Sequence, residues 1–277
     1  MPKPFSLASV LCVALLCFLL TACNFTDRQQ KITIAGSTTI LPVSEDWAND
    51  YYRKARVLVN VQGGGSTNGI VLVKTGKVDI GASSRALSDE EMKGLRKIEI
   101  GKDALAVVVN VNNKVDNIST EQLRGIFAGK IKNWKEIGGE DKPIQVVNRE
   151  SGSGTRTTFE ELVMCPHHGD KRHCPEMLLS AIVVNSNAEV KRTVELVPDS
   201  IGYFSFGFLD ETVKPLSLNG VSALEEEVHA GNYPLARGLY YLVRADNKSK
   251  TVADFIAYIM LPEAQVALSH EGFMSVK

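Results

Sequence analysis

Arg149-Glu150-Ser151-Gly152-Ser153-Gly154-Thr155-Arg156 runs straight into Thr157-Thr158-Phe159-Glu160-Glu161-Leu162-Val163-Met164. A β-like run, Pro143-Ile144-Gln145-Val146-Val147, leads into this stretch, and a helix-like run leaves it. Ser and Thr favour the first position of a helix, and two glycines let the backbone approach a bound group closely. Such a turn aims free N–H groups and the positive end of the helix dipole at one point, which makes a socket for an anion. Arg149 and Arg156 flank it, and a guanidinium is well shaped for bidentate contact with a tetrahedral oxyanion. Two nucleotide-site patterns fail on spacing. A P-loop needs Gly five residues before Gly154 and Lys after it, where the chain has Arg149 and Thr155. A dinucleotide fingerprint needs Gly where Thr157 stands.

The same grammar of strand, Gly/Ser/Thr turn and helix recurs upstream. Lys31-Ile32-Thr33-Ile34-Ala35 alternates as a strand, breaks at Gly36-Ser37-Thr38-Thr39, and gives way to a helix over 40–54 whose stripe is Val43, Trp47 and Tyr51. A strand over 56–61 meets Gly63-Gly64-Gly65-Ser66-Thr67-Asn68-Gly69 and a helical piece. A short strand over 78–82 ends in Ser83-Ser84-Arg85, and Ser88 before Asp89-Glu90-Glu91 reads as a helix cap. The remaining chain continues in α/β style, with strands at 104–110, 182–184, 201–204 and 239–243 and helices at 119–127, 187–197, 252–260 and 262–269. In open α/β sheets such turns gather at one edge, where they can surround one small ligand with hydroxyl and amide donors.

These motifs resemble those of the phosphate-binding proteins of bacterial ABC importers, over most of the chain. The resemblance rests on Ala35–Thr39, Gln62–Gly69, Val78–Arg85, Arg149–Arg156, Ser200-Ile201-Gly202-Tyr203 and the closing run Phe255–Gln265. It implies a type II periplasmic-binding-protein fold: two α/β lobes, two hinge crossovers and a ligand cleft between them. On that reading lobe one takes 31–108 and the return segment 209–277, and lobe two takes 109–208. It also implies that Thr38, Thr39, Ser66, Ser83, Ser84 and Arg85 bind the anion from lobe one, and Arg149, Ser153, Gly154 and Thr155 from lobe two. Better-known family members carry Asp where this chain has Ser84. That Asp accepts a hydrogen bond from protonated phosphate and repels sulfate. Ser84 can accept but carries no charge, so this basis for rejecting sulfate is missing here, and Glu150 reads either as a substitute acceptor or as a solvated surface residue.

Residues 1–22 read as an export signal: Lys3 is the only charge, Phe5 to Leu20 is apolar but short for a membrane span, and Leu20-Thr21-Ala22-Cys23 resembles the lipobox of bacterial lipoproteins. The resemblance implies cleavage before Cys23, lipid on that residue, and a polar tether over 23–30. The expected location is the periplasmic face or outer surface of a bacterial membrane. Of the other cysteines, Cys12 and Cys17 leave with the signal. Cys165 and Cys174 then form a disulfide in an oxidising compartment or, with His167, His168 and His173 between them, a metal site; the spacing does not match a zinc finger.

The chain has 277 residues, 44% of them hydrophobic and 23% charged, with a net charge of −1. That profile suits an ordinary globular protein and gives no electrostatic call for nucleic acid. Phosphate capture for an importer permease is therefore the expected function, by a monomer that needs no cofactor or metal and is not an enzyme. A sensor or scavenger of phosphate, sulfate or arsenate would use the same chemistry. A phosphoesterase acting through Ser151 or Ser153 lacks a nearby His in sequence and the Gly-x-Ser-x-Gly elbow.

Overall fold

In the computed structural model of the chain, residues 30–166 and 174–276 are described. The expected signal segment, Cys23, the tether before Gln30, and His167, His168 and His173 lie outside the described residues. The strands are β1 (Lys31–Gly36), β2 (Leu58–Gln62), β3 (Ile80–Ser83), β4 (Leu95–Asn110), β5 (Asn117–Ile118), β6 (Gln145–Arg149), β7 (Ile182–Val184), β8 (Ser200–Ser205), β9 (Val213–Pro215), β10 (Ser217–Leu218) and β11 (Ala236–Arg244). The helices are α1 (Leu41–Ala55), α2 (Ser66–Lys74), α3 (Asp89–Met92), α4 (Thr120–Phe127), α5 (Gly154–Phe159), α6 (Asn187–Leu196), α7 (Glu225–His229), α8 (Lys250–Ile259) and α9 (Pro262–His270).

Among the described residues one sheet runs in the order β2-β1-β3-β11-β4-β8-β6-β7, with β9 attached to β4, and β5 and β10 pair separately. Each end of this path is parallel and covered by helices, while β11 and β4 pair antiparallel in the middle. Two lobes result. In the first, Ile32, Ile34, Trp47, Ile80, Tyr241 and Phe255 share one core, and Trp47 Nε1 donates to the Ala264 carbonyl at 2.7 Å. In the second, Leu123, Phe127, Trp134, Phe159, Val146 and Tyr203 share another. There the Phe159 and Tyr203 rings stack at 3.9 Å, and Trp134 Nε1 donates to the Asp199 carbonyl at 3.0 Å.

β4 is 16 residues long and serves both lobes: Ile100 belongs to the first core, and Leu105, Val107 and Val109 to the second. β11 crosses back beside it, with Ala236 opposite Ala104 and Arg244 opposite Leu95. The lobes thus change hands near Lys102–Ala104 rather than at 108, and the return comes at β11 rather than at 209. Residues after 209 first complete the second lobe. β9 extends the sheet along the far half of β4, β10 pairs with β5, and Leu216, Leu218, Tyr233 and Leu235 are buried in the second core. These strands are two or three residues long, too short to carry a readable alternation.

The local start signals act as written. Ser88 and Ser119 each form a reciprocal capping box with the residue three positions on. Cys165 and Cys174 are joined by a disulfide, their Cα atoms 5.1 Å apart. The metal alternative for this pair gives way, because a disulfide sulfur is not a thiolate ligand.

Candidate functional site

The turns β1–α1, β2–α2 and β3–α3 of the first lobe meet the β6–α5 turn of the second. Glycine is needed where backbones touch. Gly36 has φ +140° with Ala82 and Gly69 pressed against its Cα, and Gly65 has φ +85° and donates its N–H to the Gly36 carbonyl at 2.9 Å. Ser84 N–H then donates to Ser66 Oγ at 3.1 Å, which binds the second turn to the third. In the other lobe Ser153 caps α5 by accepting from Arg156 N–H. The amides of Gly154 and Thr155 therefore open the helix, where no intrahelical acceptor exists. Gly154 lies directly on the opposite lobe: a Cβ there would overlap Ser66 Oγ and stand 2.8 Å from Ser84 Oγ.

The lobes are closed on each other. Thr39 Oγ1 and Thr155 Oγ1 are 3.2 Å apart, Arg149 Nη2 donates to Thr38 Oγ1 at 3.3 Å, and Thr67 N–H donates to the Gly152 carbonyl at 3.2 Å. Thr39, Ser66, Ser84, Arg149, Ser153 and Thr155 are each no more than 1% exposed, while Thr38 is half-buried. The structure thus brings together Thr38, Thr39, Ser66, Ser84, Arg149, Ser153, Gly154 and Thr155. Hydroxyls, amides and guanidinium from both lobes converge on one small volume, and such a set can hold a desolvated oxyanion.

Arg85 and Ser83 are placed differently from expectation. The Arg85 guanidinium grips Glu91 with Nη1–Oε2 at 2.8 Å and Nη2–Oε1 at 2.6 Å, so its charge is met outside the site. Ser83 Oγ donates to the Arg85 carbonyl at 3.0 Å and holds the turn. Reading Glu91 only as a first-turn acid missed this pairing. The Arg85 hydrogen bonds lower the Glu91 carboxyl from 4.5 to about 2. A depressed carboxylate contributes stability above its unfolded value, and loses it as pH falls through about 2. Glu91→Gln should accordingly lower stability at neutral pH by about 1 kcal/mol, allowing for partial solvent exposure. In urea denaturation the gap from wild type should close toward pH 2; a gap unchanged with pH would contradict the pairing.

Arg149 is also met by a carboxylate. Its Nε and Nη2 donate to Glu150 Oε2 and Oε1, both at 2.9 Å, and its Nη1 donates to Asn187 Oδ1 at 3.1 Å. Glu150 is therefore engaged rather than waiting for a ligand proton. Arg156 stands behind the turn, bonded to Glu160 and to the Arg149 carbonyl.

Three residues in the site escaped the sequence. Arg237 on β11 donates from Nη1 to Thr155 Oγ1 at 3.0 Å and from Nη2 to Thr39 Oγ1 at 3.2 Å. Asp103 on β4 holds it, with Oδ2 accepting from Nε at 2.9 Å and Nη2 at 2.6 Å. Burial pushes the Asp103 carboxyl up and the Arg237 guanidinium down, and their mutual attraction works against both shifts. Asn187, the first residue of α6, donates from Nδ2 to Thr39 Oγ1 at 3.0 Å. Arg237 lies inside a strand with no turn motif around it, and only the β4–β11 register carries it to the cleft.

A fold of two lobes closed over a nest of anion donors is that of a solute-binding protein. Residues 25–263 match the model of the PBP superfamily domain. The phosphate-binding protein PstS of Bacillus subtilis is 31% identical over 252 residues, covering 89% of this chain and 81% of the relative. The chain belongs to the PBP superfamily and, within it, to the PstS family of phosphate-binding proteins. A phosphate ABC transporter substrate-binding protein from Clostridium perfringens, described with bound phosphate, superposes with a TM-score of 0.84 at 33% identity. It covers 90% of this chain and 100% of its own. An ABC-type phosphate transport receptor from Vibrio cholerae gives 0.74 at 35% identity, covering 89% of this chain and 100% of its own.

Proposed function

We propose that this chain captures inorganic phosphate between its lobes and hands it to the permease of an ABC importer. The observation that carries this is the meeting of donors from both lobes at the Thr39–Thr155 contact. An anion bound there draws both lobes onto itself, and closure forms the surface a permease can read. Thr38, Thr39, Ser66, Ser84, Arg149, Ser153, Gly154 and Thr155 are the proposed contacts. The relatives named above, all binding or transport proteins by name, support the same reading rather than turnover. Export and a lipid anchor on Cys23 complete it; Cys23→Ser should then release the protein from the membrane fraction. Titration calorimetry with phosphate and sulfate tests the binding: no heat from phosphate up to millimolar concentration would end the proposal.

Selectivity is the site's open variable, since Ser84 carries no charge. Ser84→Asp places a carboxylate acceptor beside the ligand position, and should raise the phosphate-to-sulfate affinity ratio by about tenfold, the worth of one charged hydrogen bond. Competition of the two anions reads it. Equal or weaker discrimination would show that the acceptor does not belong at this position.

A further inference from the structure

The hydroxyls of this site are not free to turn. An Arg can only donate, so the Asn187 atom facing Arg149 Nη1 at 3.1 Å is its oxygen, which leaves Asn187 Nδ2 to donate to Thr39 Oγ1 at 3.0 Å. Arg237 Nη2 donates to the same Thr39 oxygen at 3.2 Å. Both lone pairs of Thr39 Oγ1 are then filled, and its proton must be given away. Thr155 Oγ1, 3.2 Å off, is the acceptor within reach. It already accepts from Arg237 Nη1 at 3.0 Å. With two donors pointing at it, Thr155 must in turn donate outward. Ser84 Oγ receives a longer bond from Arg237 Nη1, at 3.5 Å, and lies 3.5 Å from Ser66 Oγ; where Ser84 gives its proton to Ser66, it keeps one lone pair for a ligand.

We propose that Arg237, delivered by the returning hinge strand and held by Asp103, is a specificity-determining positioning residue: it commits the Thr39 proton to Thr155, and so fixes Thr155 as the donor that faces the ligand. This rests on the phosphate reading and gives it a rule. The Thr39–Thr155 side of the site accepts only bare, deprotonated oxygens, and any ligand O–H must lie on the Ser84 side. Because Thr39 belongs to the first lobe and Thr155 to the second, one guanidinium sets the polarity of both. The site then favours the doubly charged oxyanion, for phosphate and sulfate alike. A tetrahedral anion bearing two hydroxyls must turn both of them away from Thr39 and Thr155.

The test is binding of phosphate and sulfate, by calorimetry between pH 5.5 and 8.5, to the wild type, to Arg237→Lys and to the double variant Asp103→Leu/Arg237→Met. The double variant leaves no charge stranded, so it keeps a folded protein to measure. In the wild type, phosphate affinity should rise as the ligand loses its second proton, and sulfate affinity should stay flat. The double variant should bind sulfate about 10- to 100-fold more weakly. It should lose less for phosphate, with a flatter pH profile, since Thr39 and Thr155 regain a lone pair each. Arg237→Lys should fall between the two. Affinities within about threefold of wild type would overturn the proposal. So would a loss equal for both anions at every pH, the mark of a purely structural role. A wild type that binds neither anion removes the proposed function itself.

Discussion

Gly154→Ala is expected to weaken phosphate binding by about 10- to 100-fold while leaving the thermal midpoint of the ligand-free protein almost unchanged. The three atoms nearest to the added methyl all belong to the opposite lobe. Gly154 is not among the residues with positive φ, and it sits at the first position of a helix, where Ala is favoured. The obstruction lies across the cleft, at Ser66 Oγ and at Ser84 Oγ 2.8 Å away, and it arises only when the lobes come together. The variant therefore separates closure from folding. Gly152→Ala is its control, because a Cβ there meets nothing within 4 Å. Calorimetry and thermal melts on both variants decide the matter. Undiminished affinity in Gly154→Ala would mean that productive closure stops short of this contact.

Asp103→Ala should have the largest effect on stability, a loss of about 3–5 kcal/mol, or about 6–20 °C in the thermal midpoint. The carboxylate is fully buried and makes two short bonds to Arg237, whose side chain is 3% exposed. Removing it leaves a guanidinium charge in the hinge with neither water nor a counter-ion. Asp103→Leu/Arg237→Met should recover most of the loss, since it removes both charges together. A double variant as unstable as Asp103→Ala would show that packing, and not the stranded charge, dominates there.

What could be read in the sequence was what is local. The four turns carry their own instructions: glycine where φ is positive or backbones touch, Ser or Thr at a helix start, Arg at the end of a strand. Ser153 at the cap of α5 and Ser88 at the cap of α3 follow from three or four consecutive residues. Arg237, Asp103 and Asn187 could not be read so. Arg237 lies 198 residues from Thr39, and the two meet only because β11 inserts beside β4. Arg85 misled for the converse reason. A cation beside a binding turn looks available until a partner six residues on, Glu91, is found to take its charge. The late return of the chain to lobe one was hidden in β9 and β10, whose few residues fit a loop equally well.

The place of β11 between β3 and β4 also bears on how the chain becomes a protein. Apart from Met274, which also joins its core, lobe two is assembled from one continuous stretch, roughly residues 103–235, and can largely condense once that stretch is free. Lobe one is split: its strands β1, β2 and β3 precede lobe two, but the strand that joins them to β4, and helices α8 and α9 that cover them, come last. An emerging chain thus holds the open edge of β3 unpaired until residue 236 has followed, and such an edge invites association with another chain. Refolding should show the same order, with hydrogen-exchange protection at Val147 in β6 preceding that at Ile34 in β1. Simultaneous protection of both would mean that the lobes fold as one unit. Dependence on the segment from residue 236 onward makes the first lobe the later of the two to close its core.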